Sequence, residues 1–242
     1  MHNRFFCPPE NISDKNITIK DKKEIHHIVD VLRFEIGDKV VVFNGEGVEF
    51  AGTIKGISKD CINISIDKQY QAKKRSFAVT LACAIPKKAK FDFIVEKITE
   101  LGVDRIIPLE TERSEVRFKN DRMLSKISHF RQVAISASKQ CQRSIVPKVE
   151  EVTNFKDALK AVQKYDLAIF PTLEGERIGM AEALKGFAGK EIIVFIGPEG
   201  DFSEEEVKLA KKSGCKLVTL GENVLKVDTA AITVVAVLNA FL

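Results

Sequence analysis

Two glycine-marked turns near the end of the chain have residue types suited to holding a ligand against main-chain atoms. The first is Ile196-Gly197-Pro198-Glu199-Gly200, and the second runs from Leu220-Gly221 through Val224-Leu225-Lys226 to Asp228-Thr229-Ala230. Each turn follows a short apolar run, which predicts that both lie at the carboxyl ends of neighbouring buried strands. Open α/β sheets bind their ligands at that edge, so we expect the chemistry of this protein there.

Neither turn is a familiar nucleotide-binding loop. The patterns GxGxxG and GxxxxGK[ST] are both absent, and Gly45-Glu46-Gly47 lies between hairpin strands with no helix after it. The sequence therefore favours neither a dinucleotide site of the Rossmann type nor a P-loop. Glycines at strand ends also occur simply to make turns, so the residue types alone leave that structural reading open.

Length and charge suggest two domains and an anionic partner. A chain of 242 residues exceeds the usual size of one domain. Residues 73–147 carry 16 Lys or Arg and 8 Asp or Glu, although the net charge of the whole chain is only +4. This excess of positive charge is compatible with RNA binding and equally with a solvated basic surface.

The cysteines and the apolar segments argue against several classes of protein. The five Cys are scattered, odd in number and form no CxxC pair, so we predict reduced thiols, with neither a disulfide framework nor a metal site. The first residues lack the apolar core of a signal peptide. The longest apolar stretch, residues 230–242, is too short for a bilayer and predicts a buried helix. We expect a cytoplasmic protein with no membrane partner.

The hydrophobic pattern divides the chain into a β-rich part and an alternating part. Residues 39–44, 48–57 and 61–66 are predicted strands, Asp21 and Glu24 have the spacing of a helix start, and residues 67–76 are the candidate linker. This part reads as a small barrel-like module. Beyond it, strands alternate with helices, which predicts a mostly parallel sheet covered on both faces. The predicted strands there span residues 78–85, 105–109, 166–170, 191–196 and 216–220.

In their exact amino-acid sequence, the two turns closely resemble the signature of the RsmE family within the SPOUT methyltransferases. Further segments agree with that family in the same order along the chain. They are Arg4-Phe5-Phe6, His27, Leu32-Arg33, Gly37-Asp38, Phe43-x-Gly45, Glu96-Lys97-x-x-Glu100-Leu101-Gly102-Val103, Glu112-Arg113-Ser114 and Gln140-x-x-Arg143-x-x-x-Pro147.

The resemblance implies a fold and an activity. It implies an α/β SPOUT methyltransferase domain with a carboxyl-terminal trefoil knot at residues 73–242, preceded by a PUA-like RNA-binding β-barrel at residues 1–72. It also implies a homodimer that uses S-adenosylmethionine to methylate N3 of one uridine in 16S rRNA of the small ribosomal subunit. The knot rests on family likeness alone, because true knots are rare and periodicity does not reveal them.

With this activity in view, residues can be assigned to the cofactor and to RNA, Leu173 only from its place after a predicted strand and most RNA contacts from their charge. Glycines let main-chain groups approach a ligand closely, so we expect the cofactor to be bound largely by backbone atoms. The predicted cofactor-binding residues are Leu173, Ile196, Gly197, Gly200, Leu220, Gly221, Val224, Leu225 and Ala230. The predicted RNA contacts are Arg4, Lys73, Lys74, Arg75, Arg113, Arg117, Arg131 and Arg143, which could also be solvated charges.

Methylation of uracil N3 requires the loss of a proton from that nitrogen. A cation beside a uracil oxygen and a nearby carboxylate would promote this loss, and Lys226 and Asp228 could fill those two roles. Asp228 could instead be the N-cap of the last helix, and Lys226 a surface or phosphate-contacting lysine. Because N3 lies on the Watson–Crick edge, the target base must be unpaired or extruded.

The chain departs from the family at four positions. It has Asp201 where the family commonly has a second glycine, Asn223 and Lys226 where arginine is common, and Asp228 where glutamate is common. Arg113 or Arg143 could supply the positive charge that Asn223 does not provide. Two alternatives therefore stay open, namely a related SPOUT RNA methyltransferase with another target atom, and a non-catalytic RNA-binding protein of ribosome assembly.

Overall fold

The computed structural model describes residues 4–73, 75–87, 90–115 and 120–242, and these residues form two compact units. The first unit contains residues 4–73 together with Ser138–Val146, and the second contains the other described residues. The sequence-based boundary at residues 72 and 73 assigned the segment Ser138–Val146 to the second domain. The contacts place that segment with the first unit instead.

The first unit is built on one five-stranded sheet in the order β1-β3-β4-β5-β2. The pair β1 and β3 is parallel and the other pairs are antiparallel. Its core is a cluster of buried aliphatic and aromatic side chains that includes Phe5, Ile28 and Ile54. The elements are β1 (Arg4–Phe6), β2 (Asn16–Ile19), α1 (Lys22–His26) continued by a π-helical turn (His27–Val31), β3 (Lys39–Phe43), β4 (Val48–Ile57) and β5 (Ile62–Gln71).

The sequence predicted the hairpins of this unit but missed two strands and part of a third. Asp21 caps α1, as its spacing predicted, since its side chain accepts hydrogen bonds from the backbone N–H groups of Lys23 and Glu24. The strands β1 and β2 are too short to show periodicity. The strand β5 continues to Gln71, so half of the predicted linker is strand, because residues 68–71 pair with residues 48–51 of β4.

The segment Ser138–Val146 is attached to the first unit by backbone and side-chain bonds. The Gly47 N–H donates to the Ser144 carbonyl at 3.1 Å, and the Val146 N–H donates to the Gly45 carbonyl at 2.9 Å. Lys139 Nζ lies 2.7 Å from a carboxylate oxygen of Glu24, which is buried. These contacts join residues about 100 positions apart in the sequence, which explains why local patterns did not reveal them.

The second unit is an α/β unit with an eight-stranded sheet whose described pairings are all parallel. The order is β11-β13-β10-β12-β6-β7-β8, with β9 paired to β7. Its strands are β6 (Ala78–Ala84), β7 (Arg105–Glu110), β8 (Lys148–Val149), β9 (Thr153–Asn154), β10 (Leu167–Pro171), β11 (Ile178–Gly179), β12 (Glu191–Ile196) and β13 (Lys216–Thr219). Its helices are α2 (Lys90–Glu100), the first part of α3 (Asn120–Gln140), α4 (Phe155–Lys160), α5 (Met180–Leu184), α6 (Glu204–Lys212) and α7 (Val227–Phe241).

The helix boundaries follow the local signals read from the sequence. The helix α2 buries Phe91, Ile94 and Ile98 and ends before Gly102, which adopts a φ of 89°. Ser203 caps α6 in a complete capping box with Glu206, as the acidic first turn suggested. These termini are set by neighbouring residues, and the sequence therefore predicted them well.

The order of the strands differs from the sequence-based expectation at one important point. The strands β12 and β13, which precede the two glycine turns, are not neighbours, because β10 lies between them. Ile169 of β10 pairs with Lys216 on one side and with Val194 on the other. The connection that leaves β10 is therefore brought between the two glycine turns.

The thiols and α7 complete the description of the fold. All five cysteines are free, and burial raises the pKa of the Cys7 and Cys215 thiols to about 12 and that of Cys83 further still. The helix α7 is buried along one face only, through side chains such as Ala231 and Leu238. No helix among the described residues is long and apolar enough to cross a membrane.

Candidate functional site

Three loops at the carboxyl ends of β10, β12 and β13 enclose a cavity of about 220 Å³ in the second unit. We call residues 172–177 the β10 loop, residues 197–202 the first glycine loop and residues 220–226 the second glycine loop. The cavity is also bounded by the ends of the three strands and by the start of α7. It occupies the edge at which parallel α/β sheets bind ligands.

Eight of the nine predicted cofactor-binding residues line this cavity. The exception is Gly200, which is exposed and does not contribute to the wall. Leu173 was assigned only from its place after a strand, and the position of β10 between β12 and β13 brings it to the cavity. The eight lining residues are Leu173, Ile196, Gly197, Leu220, Gly221, Val224, Leu225 and Ala230.

Gly197 lies where the chain passes tightly over the core of the second unit. A Cβ atom at this position would be 3.0 Å from two ring carbons of Phe202 and 3.3 Å from Oδ1 of Asp201. Phe202 is fully buried, and its ring centroid is 4.3 Å from that of Phe170. A side chain at position 197 would therefore press on a packed aromatic ring, and glycine avoids this contact.

Asp201 connects the first glycine loop to the β10 loop. Its Oδ2 accepts a hydrogen bond from Thr172 Oγ1 at 3.0 Å and another from the Leu173 N–H at 2.8 Å. Its backbone is in the left-handed region, with a φ of 56°, which side chains other than glycine adopt uncommonly. The residue that departs from the family pattern thus makes a specific contact in the wall of the cavity.

The second glycine loop is much more open. Gly221 has a φ of 134°, and the side chain of Val224 is 74% exposed although it borders the cavity. Lys226 also borders the cavity, is exposed, and occupies the N-cap position of α7. This loop therefore offers both an apolar side chain and a cation to a bound molecule.

Asp228 is not the N-cap of α7, so that alternative interpretation is wrong. The helix begins at Val227, and Asp228 is in its first turn, where a negative charge interacts favourably with the helix dipole. Its carboxylate lies 3.6 Å from Nζ of Lys90 and is 21% exposed. The pair places an accessible carboxylate next to a lysine near the start of α7.

Sequence reasoning missed several polar residues of the cavity wall, including Thr219. Thr172, Arg177 and Glu199 line the cavity, and the Arg177 guanidinium donates to the Thr172 carbonyl at 3.1 Å. The Glu199 carboxylate accepts a hydrogen bond from the Lys87 N–H at 2.9 Å. Thr172 directly follows the end of β10, which was the signal that could have found it. Arg177 comes immediately before β11, and Glu199 was inside the recognised turn.

Two of the predicted RNA contacts are engaged within their own units. The Arg4 guanidinium is 13% exposed, bonds to Glu49 and Ser144 and lies over the ring of Phe43. Arg75 bonds to Asp104 and to Asn239 in the second unit. These bonds leave little of the Arg4 guanidinium for RNA, which indicates a structural role for Arg4. The Arg75 side chain is still 34% exposed, so its contact with RNA stays a prediction.

The other predicted RNA contacts differ in their surroundings, and two of them lie outside the described residues. Arg113 donates from one nitrogen to the carbonyls of Gly200 and Phe202, and thereby supports the first glycine loop. The Nε of Arg131 donates to the Val149 carbonyl. Lys73 is exposed, Arg143 is in the segment attached to the first unit, and Lys74 and Arg117 lie outside the described residues.

Comparison with known proteins agrees with this arrangement. A family of RNA methyltransferase domains matches residues 73–239, and a family of RNA methyltransferase PUA domains matches residues 19–67. A ribosomal RNA small subunit methyltransferase E of Buchnera aphidicola is 30% identical over 88% of this chain and 84% of its own length. The chain belongs to the RsmE family of RNA methyltransferases. It is therefore a methyltransferase with a PUA domain.

Other proteins resemble the chain over nearly its full length. The ribosomal RNA small subunit methyltransferase E of Rickettsia conorii is 29% identical over 97% of this chain and 94% of its own. A putative methyltransferase of Legionella pneumophila, solved with the cofactor SAM, is 28% identical with a TM-score of 0.88, covering 99% of this chain and 98% of its own. The Neisseria gonorrhoeae ribosomal RNA small subunit methyltransferase E, solved with S-adenosyl methionine, is 25% identical with a TM-score of 0.85 and the same coverage.

Proposed function

We propose that this enzyme uses S-adenosylmethionine to methylate N3 of a specific uridine in 16S rRNA of the small ribosomal subunit. The observation that carries the proposal is the cavity in which the two family-specific glycine loops meet the β10 loop. Two relatives that resemble the chain over nearly its whole length were solved with that cofactor.

The residues of the cavity fit this cofactor. Gly197 leaves the first glycine loop close to the core, where a side chain would not fit, and the main chain is therefore accessible to a ligand. Ile196, Leu220 and Leu225 provide apolar wall, while the charges come from acidic and basic residues in equal number. The charged lining residues are Arg177, Lys226, Glu199 and Asp201. The bound cofactor supplies an activated methyl group, so the protein has to orient the donor and the acceptor.

The proton on uracil N3 must be removed by the protein or by solvent. We assign its acceptance to the Asp228 carboxylate, which is accessible near the start of α7 and has Lys90 beside it. Lys226, at the border of the cavity, would stabilise the negative charge that develops on a uracil oxygen. These roles require the base to enter between the second glycine loop and the start of α7.

RNA would be held by positive side chains outside the cavity. Our candidates among the described residues remain Lys73, Arg75, Arg113, Arg131 and Arg143, and Lys74 and Arg117 remain candidates from the sequence alone. Backbone contacts of this kind position the RNA without selecting its sequence. The target uridine would be recognised unpaired, because its N3 is otherwise hydrogen-bonded.

Several finer properties belong to the same proposal. We propose that the first unit forms a PUA-like barrel within residues 1–72, and that residues 73–242 form a SPOUT domain whose carboxyl-terminal segment is knotted. The path of the chain supports the knot. The strand β13 lies on one side of β10, and the chain then returns so that α7 packs on β12 and β6, which lie on the other side of β10. Stretching single molecules from both ends would test it, since a knotted chain extends less than its full contour length.

We also propose a homodimer in the cytoplasm. Support for the dimer comes from the exposed aromatic rings on two helices that pack together, with Phe93 of α2 47% exposed and Phe241 of α7 62% exposed. Sedimentation equilibrium tests this assembly. A monomer at micromolar concentration would contradict it, as would a dimer that survives replacement of both rings by aspartate.

The decisive experiment is to incubate small ribosomal subunits from a strain that lacks the enzyme with labelled S-adenosylmethionine and the purified protein. We expect one labelled uridine whose nucleoside has the mass and retention of 3-methyluridine. A 2′-O-methyl product or a different base would identify another target atom. Calorimetry that detects no binding of S-adenosylmethionine at millimolar concentration would instead favour a non-catalytic RNA-binding protein.

A further inference from the structure

Asp201 combines an unfavourable backbone conformation with two well-formed side-chain bonds. Its φ of 56° is one that glycine adopts freely and that most side chains disfavour. Aspartate and asparagine tolerate the left-handed region better than other non-glycine residues do. The conformation is also stabilised by a turn, since the Asp201 N–H donates to the Pro198 carbonyl at 3.0 Å.

The side chain of Asp201 organises the β10 loop rather than its own loop. Its Oδ2 accepts from the hydroxyl of Thr172 and from the N–H of Leu173, two donors that are consecutive in the β10 loop. The Thr172 hydroxyl in turn accepts a hydrogen bond from the Glu174 N–H at 3.1 Å. A single carboxylate oxygen is thus the start of a chain of bonds that runs into the β10 loop.

Both loops joined by this carboxylate are walls of the same cavity. The strands β10 and β12 are adjacent and parallel, so the loops leave the sheet side by side. Thr172 is buried, whereas Leu173 is 49% exposed at the border of the cavity. The bond to the Leu173 N–H therefore fixes the backbone from which an exposed lining side chain projects.

We infer that Asp201 is a positioning residue that holds the β10 loop against the first glycine loop and so preforms the cavity for the methyl donor. The inference rests on the proposed function of that cavity. A preformed site binds more tightly because the loops are ordered before the ligand arrives. Where the family commonly has glycine, this chain accepts a less favourable backbone and gains a bond between the two loops.

Two substitutions separate the bond from the backbone effect. Asp201→Gly removes the carboxylate and relaxes the backbone, whereas Asp201→Asn keeps an acceptor oxygen and tolerates the same φ. We expect Asp201→Gly to weaken S-adenosylmethionine binding about tenfold by calorimetry, in line with the loss of hydrogen bonds to a charged group. Asp201→Asn should stay within about threefold of the unaltered chain, because rotation about the side chain can present its oxygen.

Hydrogen exchange in the cofactor-free protein provides a readout that does not depend on the cofactor. The Leu173 amide should exchange faster in Asp201→Gly than in the unaltered chain, while amides in the middle of β12 stay equally protected. In steady-state assays the KM for S-adenosylmethionine should rise with little change in kcat, since the bond acts on binding rather than on the transition state. A purely structural role would lower the urea midpoint without this selective rise in KM.

Arg33→Gly is the matched control for backbone relaxation. Arg33 has a φ of 57° but belongs to the first unit and is not one of the residues that line the cavity. Its replacement should leave the affinity for S-adenosylmethionine unchanged.

Three results would overturn the inference. They are unaltered affinity in Asp201→Gly, unaltered exchange of the Leu173 amide in that variant, and an equal loss of affinity in Asp201→Asn and Asp201→Gly. Failure of the unaltered chain to bind S-adenosylmethionine would refute the proposed function of the cavity as well, which distinguishes the two failures.

Discussion

The first and second glycine loops enclose the same cavity but are held in opposite ways. The first is attached to the core by the buried ring of Phe202 and to other elements by Arg113 and Asp201. In the second, the hydrogen bonds among the described residues join only near neighbours in sequence, such as Thr219 with Gly221 and Lys226 with Ala230. One wall is therefore part of the folded core, and the other is a largely exposed segment.

This difference separates the residues of the site that stabilise the fold from those that act mainly in binding or chemistry. Changes in the first glycine loop disturb packing as well as binding, since its residues contact buried side chains. Changes in the second glycine loop and the adjoining turn of α7 should alter binding or chemistry while leaving the free energy of unfolding nearly constant. The substitutions below test that division, beginning with the largest expected effect.

Asp228→Asn tests the general-base role that we propose for the first turn of α7, at a residue that is next to the cavity lining but not part of it. We expect the rate of methyl transfer to fall roughly 10²- to 10⁴-fold, the usual contribution of a general base. The affinity for S-adenosylmethionine and the urea midpoint should change little, because an amide of the same size replaces an accessible carboxylate. Single-turnover assays with labelled cofactor measure the rate.

Glu222→Gln is the control for this prediction. It makes the same carboxylate-to-amide change on an exposed residue of the second glycine loop, which like Asp228 does not line the cavity. A similar loss of rate in both variants would argue against a specific role for Asp228.

Gly197→Ala tests the attachment of the first glycine loop to the core. The added Cβ would meet the ring of Phe202 at 3.0 Å, and that ring is enclosed by Phe155 and Phe170. We expect the free energy of unfolding to fall by about 1–3 kcal/mol, as in other overpacked cores, together with weaker cofactor binding. Urea unfolding and calorimetry measure the two effects.

Gly200→Ala provides a matched control in the same loop. A Cβ there would be 3.8 Å from the Arg113 side chain, an ordinary contact, and Gly200 does not line the cavity. Its unfolding free energy should change by no more than about 0.5 kcal/mol. Equal destabilisation of both variants would mean that close packing is not what requires Gly197.

Ser203→Ala tests the anchor that follows the first glycine loop. Ser203 caps α6 in a capping box, and its hydroxyl donates to a carboxylate oxygen of Glu112 at 2.7 Å. We expect a loss of about 1 kcal/mol in the free energy of unfolding. Cofactor affinity, measured by calorimetry well below the unfolding transition, should stay the same. A change above threefold would show that the cap of α6 is coupled to the walls of the cavity.

The sequence predicted those parts of the site that depend on neighbouring residues. Local rules predict the strand ends before Gly197 and Gly221, the cap at Ser203 and the end of α2 at Gly102. The sequence did not predict that β10 lies between β12 and β13, because strand order depends on pairing between segments that are remote in sequence.

The same reason explains the other differences at residue level. The bond from Asp201 to Thr172 joins residues 29 positions apart, and the attachment of Ser138–Val146 joins segments still further apart. Neither has a periodic pattern. The N-cap of α7 was misplaced because Lys226 caps the helix without a side-chain bond, whereas Asp228 has the residue type usually found at that position.

Val224→Ser is the mildest test of the difference between the two walls. With its side chain 74% exposed, Val224 contributes little to the folded core, so the free energy of unfolding should change by less than about 0.5 kcal/mol. If a ligand in the cavity covers this side chain, removing its apolar surface should weaken S-adenosylmethionine binding about threefold to tenfold, which calorimetry can resolve. Unchanged affinity would mean that Val224 stays in solvent when the donor is bound, and the open wall would then begin at Leu225.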